Sequence, residues 1–270
     1  PGIGAGMSAV KSNLPGARFA FPTGYHNLLL QAAIHADDAT ALAAAQKWLN
    51  ENDIDSASTR DNRLLATLIS RHGQRLSSCS AYPRLVGVQR LLWTRTMMSA
   101  REAAPGLQAI AAAGVAVLAI KGAARMAEGG ASARGRIAHD IDIVVRPRDM
   151  PAAYGELVRC GWRPSTGQST LSLAARIDRV RAINMMRGDF GDIDLHGRPF
   201  HAIHGDSEAD EALWSRASSG VLAGAPVLLP CPEDRIALAV GHGSLDAHAH
   251  SDWLVDIAMA LNTGGIDFSL

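Results

Sequence analysis

Two short stretches constrain this chain more than anything else in it. His139-Asp140-Ile141-Asp142-Ile143-Val144-Val145 and Asp192-Ile193-Asp194-Leu195-His196 both alternate carboxylates with aliphatic residues. Period-two alternation marks a strand, whose successive side chains leave opposite faces. Ile141 and Ile143 therefore take one face while Asp140 and Asp142 leave the other together. Two carboxylates that close repel, and each raises the other's pKa unless a cation lies between them. Mg²⁺ is such a cation: hard, oxygen-seeking, and commonly held by one or two carboxylates plus substrate phosphates. If the two strands are neighbours, Asp194 completes a cluster of three carboxylates with Asp140 and Asp142. Such a cluster can hold two metals roughly 3.5–4 Å apart, which clamp both oxygens of an in-line phosphoryl displacement.

The rest of the pattern divides into helix, then mixed α/β, then helix. Residues 1–24 read as an irregular lead-in, with Pro1–Gly6 as a remnant ahead of a native Met7. Apolar residues recur at three-to-four spacing over 25–50, in two helices broken near HADDATA, then from Thr59 to Gly73, then over 84–103. Residues 25–104 thus form a helical N-terminal region. The pattern changes at Pro105–Gly106, where a short helix over 107–113 is expected. Val115–Ile120 reads as a strand buried on both faces, followed by a helix over 123–128 and a Gly-rich loop over 129–136. Ile141–Arg146 is a strand, and 149–160 a helix. Strands over 180–187 and 190–196 are joined by Gly188–Asp189, a hairpin signal. Residues 105–198 make an α/β core. Residues 199–270 form a C-terminal helical region, with one short strand at 227–229 and helices over 232–240 and 253–261. The fold class is α+β: a mixed sheet core flanked by helical regions.

Several side chains around the acidic strands suit a polyphosphate. Arg136, four residues before Asp140, can offer its bidentate fork. Lys121 is the one lysine after Lys47, in a chain where arginine supplies nearly all of the basic charge. His196 shares the strand face of Asp194 and can orient a carboxylate or touch substrate. A second cluster, His242, Asp246, His248, His250 and Asp252, has the residue types of a transition-metal phosphohydrolase. A polar loop between two helices reads the same way. Asp256 reads as a buried group that holds the C-terminal helices against the core.

These residues, taken in order, resemble a known family. A strand leads into Lys121-Gly122 and a helix. Arg136-x-x-x-Asp140-Ile-Asp142-Ile-Val-Val-x-Pro147, Asp192-Ile-Asp194-Leu-His196, Pro232-Glu233-Asp234, His242 and Trp253-Leu-Val-Asp256 follow. The order is similar to the uncharacterised branch of the nucleotidyltransferase superfamily, with the DNA polymerase beta-like fold, over about residues 107–262. The resemblance implies that Asp140 and Asp142 bind Mg²⁺ or Mn²⁺ and that Asp194 bridges the metals or acts on the attacking hydroxyl. It implies a nucleoside triphosphate, ATP first among them, as substrate. Lys121 and Gly122 would meet its phosphates. Gly122–Ala123 stands where the wider superfamily carries Gly-Ser. That departure raises a second reading, a nucleotide-binding module without transfer. The acceptor is left open between a small molecule, a peptide, a protein and a short RNA end.

Composition narrows the setting. The 270 residues carry 26 Lys+Arg against 26 Asp+Glu. That balance argues against a broad nucleic-acid surface, although residues 134–198 hold a local arginine excess. Cys79, Cys160 and Cys231 are odd in number and widely spaced, so they read as reduced thiols of a cytoplasmic protein. No apolar run is long enough to span a membrane.

Overall fold

A computed structural model describes residues 21–200, 207–246 and 250–267. The expected remnant at Pro1–Gly6, Met7 and most of the lead-in lie outside these residues, as does His248.

Three helices open the described chain: α1 (Gly24–Ile34), α2 (Asp38–Glu51) and α3 (Thr59–His72). Asp37 caps α2 by accepting the Thr40 amide at 2.8 Å. At α3, Ser58 and Asp61 form a reciprocal capping box, which satisfies two orphan amides at once. Leu29, Trp48, Leu64, Leu65 and Leu68 bury between these helices. One long helix, α4 (Tyr82–Ala112), follows. It runs straight through Pro105–Gly106, where the sequence suggests a break. Proline removes one backbone donor and crowds the preceding turn, yet Pro105 lies on the exposed face while the face carrying Gly106 and Leu107 is held by packing. A Cβ on Gly106 would stand 2.8 Å from Leu157 and 3.0 Å from the Trp162 indole. The small residue thus lets α4 approach its neighbours closely.

The sheet then assembles from β1 (Leu118–Ala119), β2 (Ile141–Val144), β3 (Arg163–Pro164), β4 (Ala182–Arg187), β5 (Gly191–His196), β6 (Ser218–Leu222) and β7 (Ala225–Leu229). Its order is β3-β4-β5-β2-β1-β7-β6. The pairs β2–β5 and β1–β7 are parallel and the remaining pairs antiparallel. The sheet is therefore mixed. The apolar run over 115–120 contributes only two paired residues. The β6–β7 hairpin extends the sheet beyond residue 198, where the pattern shows only a short strand at 227–229. Six further helices follow, α5 (Lys121–Glu128), α6 (Met150–Arg159), α7 (Thr170–Ala174), α8 (Ser207–Arg216), α9 (Pro232–Asp246) and α10 (Asp252–Leu261), with short 3-10 turns that include one at Ala131–Gly135. No helix among the described residues is long and apolar enough to cross a membrane.

One face of the sheet is closed by α4 and α6. Ile141, Ile143, Ile193 and Leu195 meet Ala103, Leu107, Ile110 and Leu157 there. Leu118, Ile120 and Val144 pack elsewhere, against Leu213, Trp214 and Leu238 of α8 and α9. Val255 of α10 joins the N-terminal helical cluster, so the first and last helices share one core.

Candidate active site

The alternation in β2 and β5 settles which side chains can meet. The two strands run parallel in register, with Asp142 opposite Asp194 and Ile141 opposite Ile193. Apolar partners go to the α4 side, so the carboxylates leave together on the other face. Asp140 and Asp192 stand one step before the first of these pairs. Asn184 faces Asp194 from β4.

Asp142 is the centre of the cluster and is buried. Its Oδ1 accepts from Lys121 Nζ at 2.7 Å and lies 3.3 Å from His196 Nε2. Burial acts to raise its pKa, but the hydrogen bond from His196 and the Lys121 ammonium overcome this and hold it well below the carboxylate range. The same ion pair raises Lys121 above the usual lysine value, against the opposing effect of its own burial. Asp194 approaches His196, with Oδ2 4.0 Å from Nε2. Asp142, Asp194 and His196 each offer a ligand atom, and these atoms lie within 4.8 Å of one another. Asp140 is outside that trio but inside its field. Burial first, and then the Asp142 carboxylate, push Asp140 up to about 6, with Lys121 acting in the opposite direction. Burial likewise raises Asp192, with Asn184 donating to it in opposition.

Four carboxylates thus share one strand-pair face with a single lysine. Such a set is short of positive charge, and its donors are almost all hard oxygens. That chemistry fits a divalent cation of the Mg²⁺ or Mn²⁺ kind. The nitrogen of His196 is compatible with the latter.

A cavity of about 280 Å³ opens onto the cluster. Lys121, Gly122, Asp140, Asp142 and Asp192 line one side, and His242, His250 and Trp253 the other. Lys121 reaches it from the first turn of α5 at φ +51, a left-handed backbone that side chains other than glycine seldom adopt. A Cβ on Gly122 would fall 2.6 Å from Ala138 Cβ, so glycine alone lets α5 start so close to the chain entering β2. Ala123, which takes the place of the superfamily serine, is fully buried in the main core and does not line the cavity. A hydroxyl at that position would face aliphatic neighbours rather than the cavity.

Arg136 is placed differently from the sequence reading. It is buried, and four of its five N–H groups are used within the protein. Nε and Nη2 fork onto Asp256 at 2.7 and 2.9 Å, and Nη1 donates to Asp252 at 3.2 Å and to the Ile137 carbonyl at 2.6 Å. It lines the cavity but ties α10 to the loop before β2. Arg63 of α3 binds the same Asp252. Asp256 is therefore the buried anchor that its sequence context suggests. Of the C-terminal cluster, Asp252 is taken up by the two arginines, and His242 donates Nε2–H to the Pro199 carbonyl at 2.8 Å. Burial is the main cause that pushes His242 down to about 3. The side chain of Asp246, like His248, lies outside the described residues. Asp192 is the residue that the sequence argument left without a role. The same alternation that marks Asp194 marks it too, and only the register shows that it faces the cavity.

A mixed sheet that presents in-register aspartates on adjacent strands, beside a helix begun by glycine, defines a nucleotidyltransferase-like protein. The comparison with family models agrees: the model described as uncharacterised nucleotidyltransferase matches residues 61–269. The chain belongs to that family, and is a transferase whose family implies a nucleoside triphosphate and a divalent metal. No curated protein and no solved structure matches it.

Proposed function

We propose that the protein is a metal-dependent nucleotidyltransferase that moves a nucleoside monophosphate from a triphosphate, ATP first among candidates, to a hydroxyl-bearing acceptor and releases pyrophosphate. The observation that carries this is the in-register pairing of Asp142 with Asp194, with His196 completing a set of ligand atoms within 4.8 Å. Asp142 and Asp194, with Asp140 beside them, are the residues that would hold the metal. When bound it would neutralise the carboxylates and polarise the reacting phosphate as a Lewis acid.

The chain's own groups do the rest. Lys121 and the amides that open α5 receive the terminal phosphates, since a helix N-terminus with glycine admits an anion to its backbone N–H groups. His196 orients Asp142. Asp194 positions the acceptor hydroxyl and takes its proton as the oxygen bonds to the α-phosphorus. The bond from that phosphorus to the bridging oxygen breaks, and pyrophosphate leaves with the electron pair. The internal bonds of Arg136 remove it from the phosphate-binding set and make it a support for the cavity wall. The buried position of Ala123 favours transfer over a silent module, because the missing serine hydroxyl would not have faced the phosphates.

The test is nucleotide binding and turnover in Asp142→Asn and Asp194→Asn. Each should lower pyrophosphate release at least 100-fold and abolish the Mg²⁺ dependence of triphosphate binding, with an unchanged circular dichroism spectrum. Wild-type turnover in both variants would refute the assignment.

A further inference from the structure

A second cavity, of about 370 Å³, lies on the far side of the acidic strands from Lys121. Resting on the transferase reading above, we propose that this cavity receives the acceptor. The acceptor is a small molecule that carries a hydroxyl and an oxyanion, a carboxylate or a phosphate.

Position is the first argument. The second cavity shares Ala138, His139 and Asp192 with the first, so the two meet at the cluster. An entering oxygen must approach the phosphorus opposite the leaving pyrophosphate. Lys121 follows β1, and the strand order from there is β1, β2, β5, β4. Phosphates held at Lys121–Gly122 therefore lie on the β1 side. The second cavity has Met186 of β4 in its wall, on the opposite side of the aspartates.

Two unsatisfied polar atoms point the same way. Ser99 of α4 is 3% exposed, and its hydroxyl has no hydrogen-bond partner. His139 Nε2 is buried and equally without one. A buried polar group left unpaired costs about 1–3 kcal/mol, so two in one wall point to a ligand that pairs them. Arg95, exposed on α4, adds a guanidinium to the same wall. A hydroxyl and an imidazole nitrogen, each able to donate, join the guanidinium of Arg95 in a wall that also holds Asp189 and Asp192; the guanidinium, which can only donate, calls for an oxyanion, and the carboxylates for a hydroxyl. Asp192, at the junction with the first cavity, lies two residues before Asp194 on the same face of β5, so an acceptor held here points its hydroxyl toward that base.

Size and surface set the class. The volume falls within the roughly 300–1,000 Å³ of small-molecule pockets. Met186 and Phe190, 48% and 36% exposed, offer apolar surface to the carbon frame. Arg95 is the one basic side chain in the wall besides the imidazole, and Asp189 and Asp192 stand against it, whereas a nucleic-acid strand would call for a groove of several basic groups.

The experiment has two arms. Calorimetry with each nucleoside triphosphate and Mg²⁺ measures donor binding. Pyrophosphate release is then followed with a panel of hydroxycarboxylates and sugar phosphates. At least one panel member should raise release tenfold or more. Arg95→Ala and Ser99→Ala should each raise its KM at least tenfold while leaving the triphosphate Kd within twofold. Ser99→Ala removes only an unpartnered hydroxyl, so its fold is secure. If triphosphate binds but no panel member accelerates release, the acceptor class is wrong. The cavity assignment falls if the KM is unchanged in both variants, or if only a polypeptide or an RNA end accelerates release. Absence of any triphosphate binding would instead overturn the transferase reading on which the proposal stands.

Discussion

Lys121 carries two burdens at once: its ammonium neutralises the buried Asp142 at 2.7 Å, and its backbone is held at φ +51. The left-handed conformation costs a non-glycine residue roughly 1–2 kcal/mol. Replacing the lysine separates the two. Lys121→Ala and Lys121→Gly both leave Asp142 with His196 as its remaining partner, and both should weaken triphosphate binding at least tenfold. The glycine variant should nonetheless be the more stable, by about 1 kcal/mol, because glycine accepts positive φ freely. Thermal denaturation of the pair decides it, and equal melting temperatures would show that the backbone at 121 is not strained. The rarity of lysine draws attention to this residue from the sequence alone, and the spacing of Asp140, Asp142 and Asp194 marks the acidic face. The φ of Lys121 is invisible there, because backbone torsion at a strand-to-helix turn is set by where the two elements dock. The partners of Arg136 are invisible for the same reason, since Asp252 and Asp256 lie more than 110 residues away in sequence.

That arginine decides how α10 sits on the molecule. Its fork onto Asp256 and its bond to Asp252 fix two successive turns of one helix to the loop that enters β2. Arg63 adds a link from α3 to Asp252. Burial would raise the pKa of Asp252, but Arg136 and then Arg63 hold it below the ordinary carboxylate value. Arg136→Met should therefore strand the buried Asp256, leave Asp252 with Arg63 as its remaining ion-pair partner, and cost about 3–5 kcal/mol. The double variant Arg136→Met/Asp256→Leu should recover part of that loss, because it removes the stranded charge. Urea unfolding of the wild type, the single and the double variant provides the check. A double variant less stable than the single one would mean that the pair does not act as a unit. Sequence patterns reveal elements of this kind unevenly. The helix over 59–72 is legible because its cap and apolar spacing coincide, and the helix over 150–159 because a proline in its first turn precedes the same spacing. Strand β6 is not, since Ser218–Leu222 pairs at an edge with mostly exposed side chains. The continuity of α4 across Pro105 is hidden too, because packing against Leu157 and Trp162 outweighs the local signal.

Three histidines withdrawn from solvent tie the stability of the whole fold to pH: the buried His72 at the end of α3 and His242 on α9, and the half-buried His139 before β2. Burial is the first cause that lowers each below the usual imidazole value. The native state therefore refuses protons that the unfolded chain accepts near pH 6.5. Below that pH the unfolded chain binds more protons, so stability rises with pH across the window. The contribution is complete above about pH 6.5 and is lost progressively as the solution is acidified. His72 isolates the effect, because it lines neither of the two cavities at the acidic strands. After burial, the charges acting on it are Arg71 and Arg75, which lower its pKa further, and Asp38, which opposes them. Its Nε2 is buried without a hydrogen-bond partner, so a proton there would find no acceptor in the helical layer. The wild-type melting temperature should fall between pH 7.5 and pH 5.5. The fall should be smaller in His72→Gln, whose side chain does not titrate. An identical decline in the two proteins would show that His72 takes up its proton as readily folded as unfolded. The N-terminal helices would then contribute nothing to the acid sensitivity of the molecule.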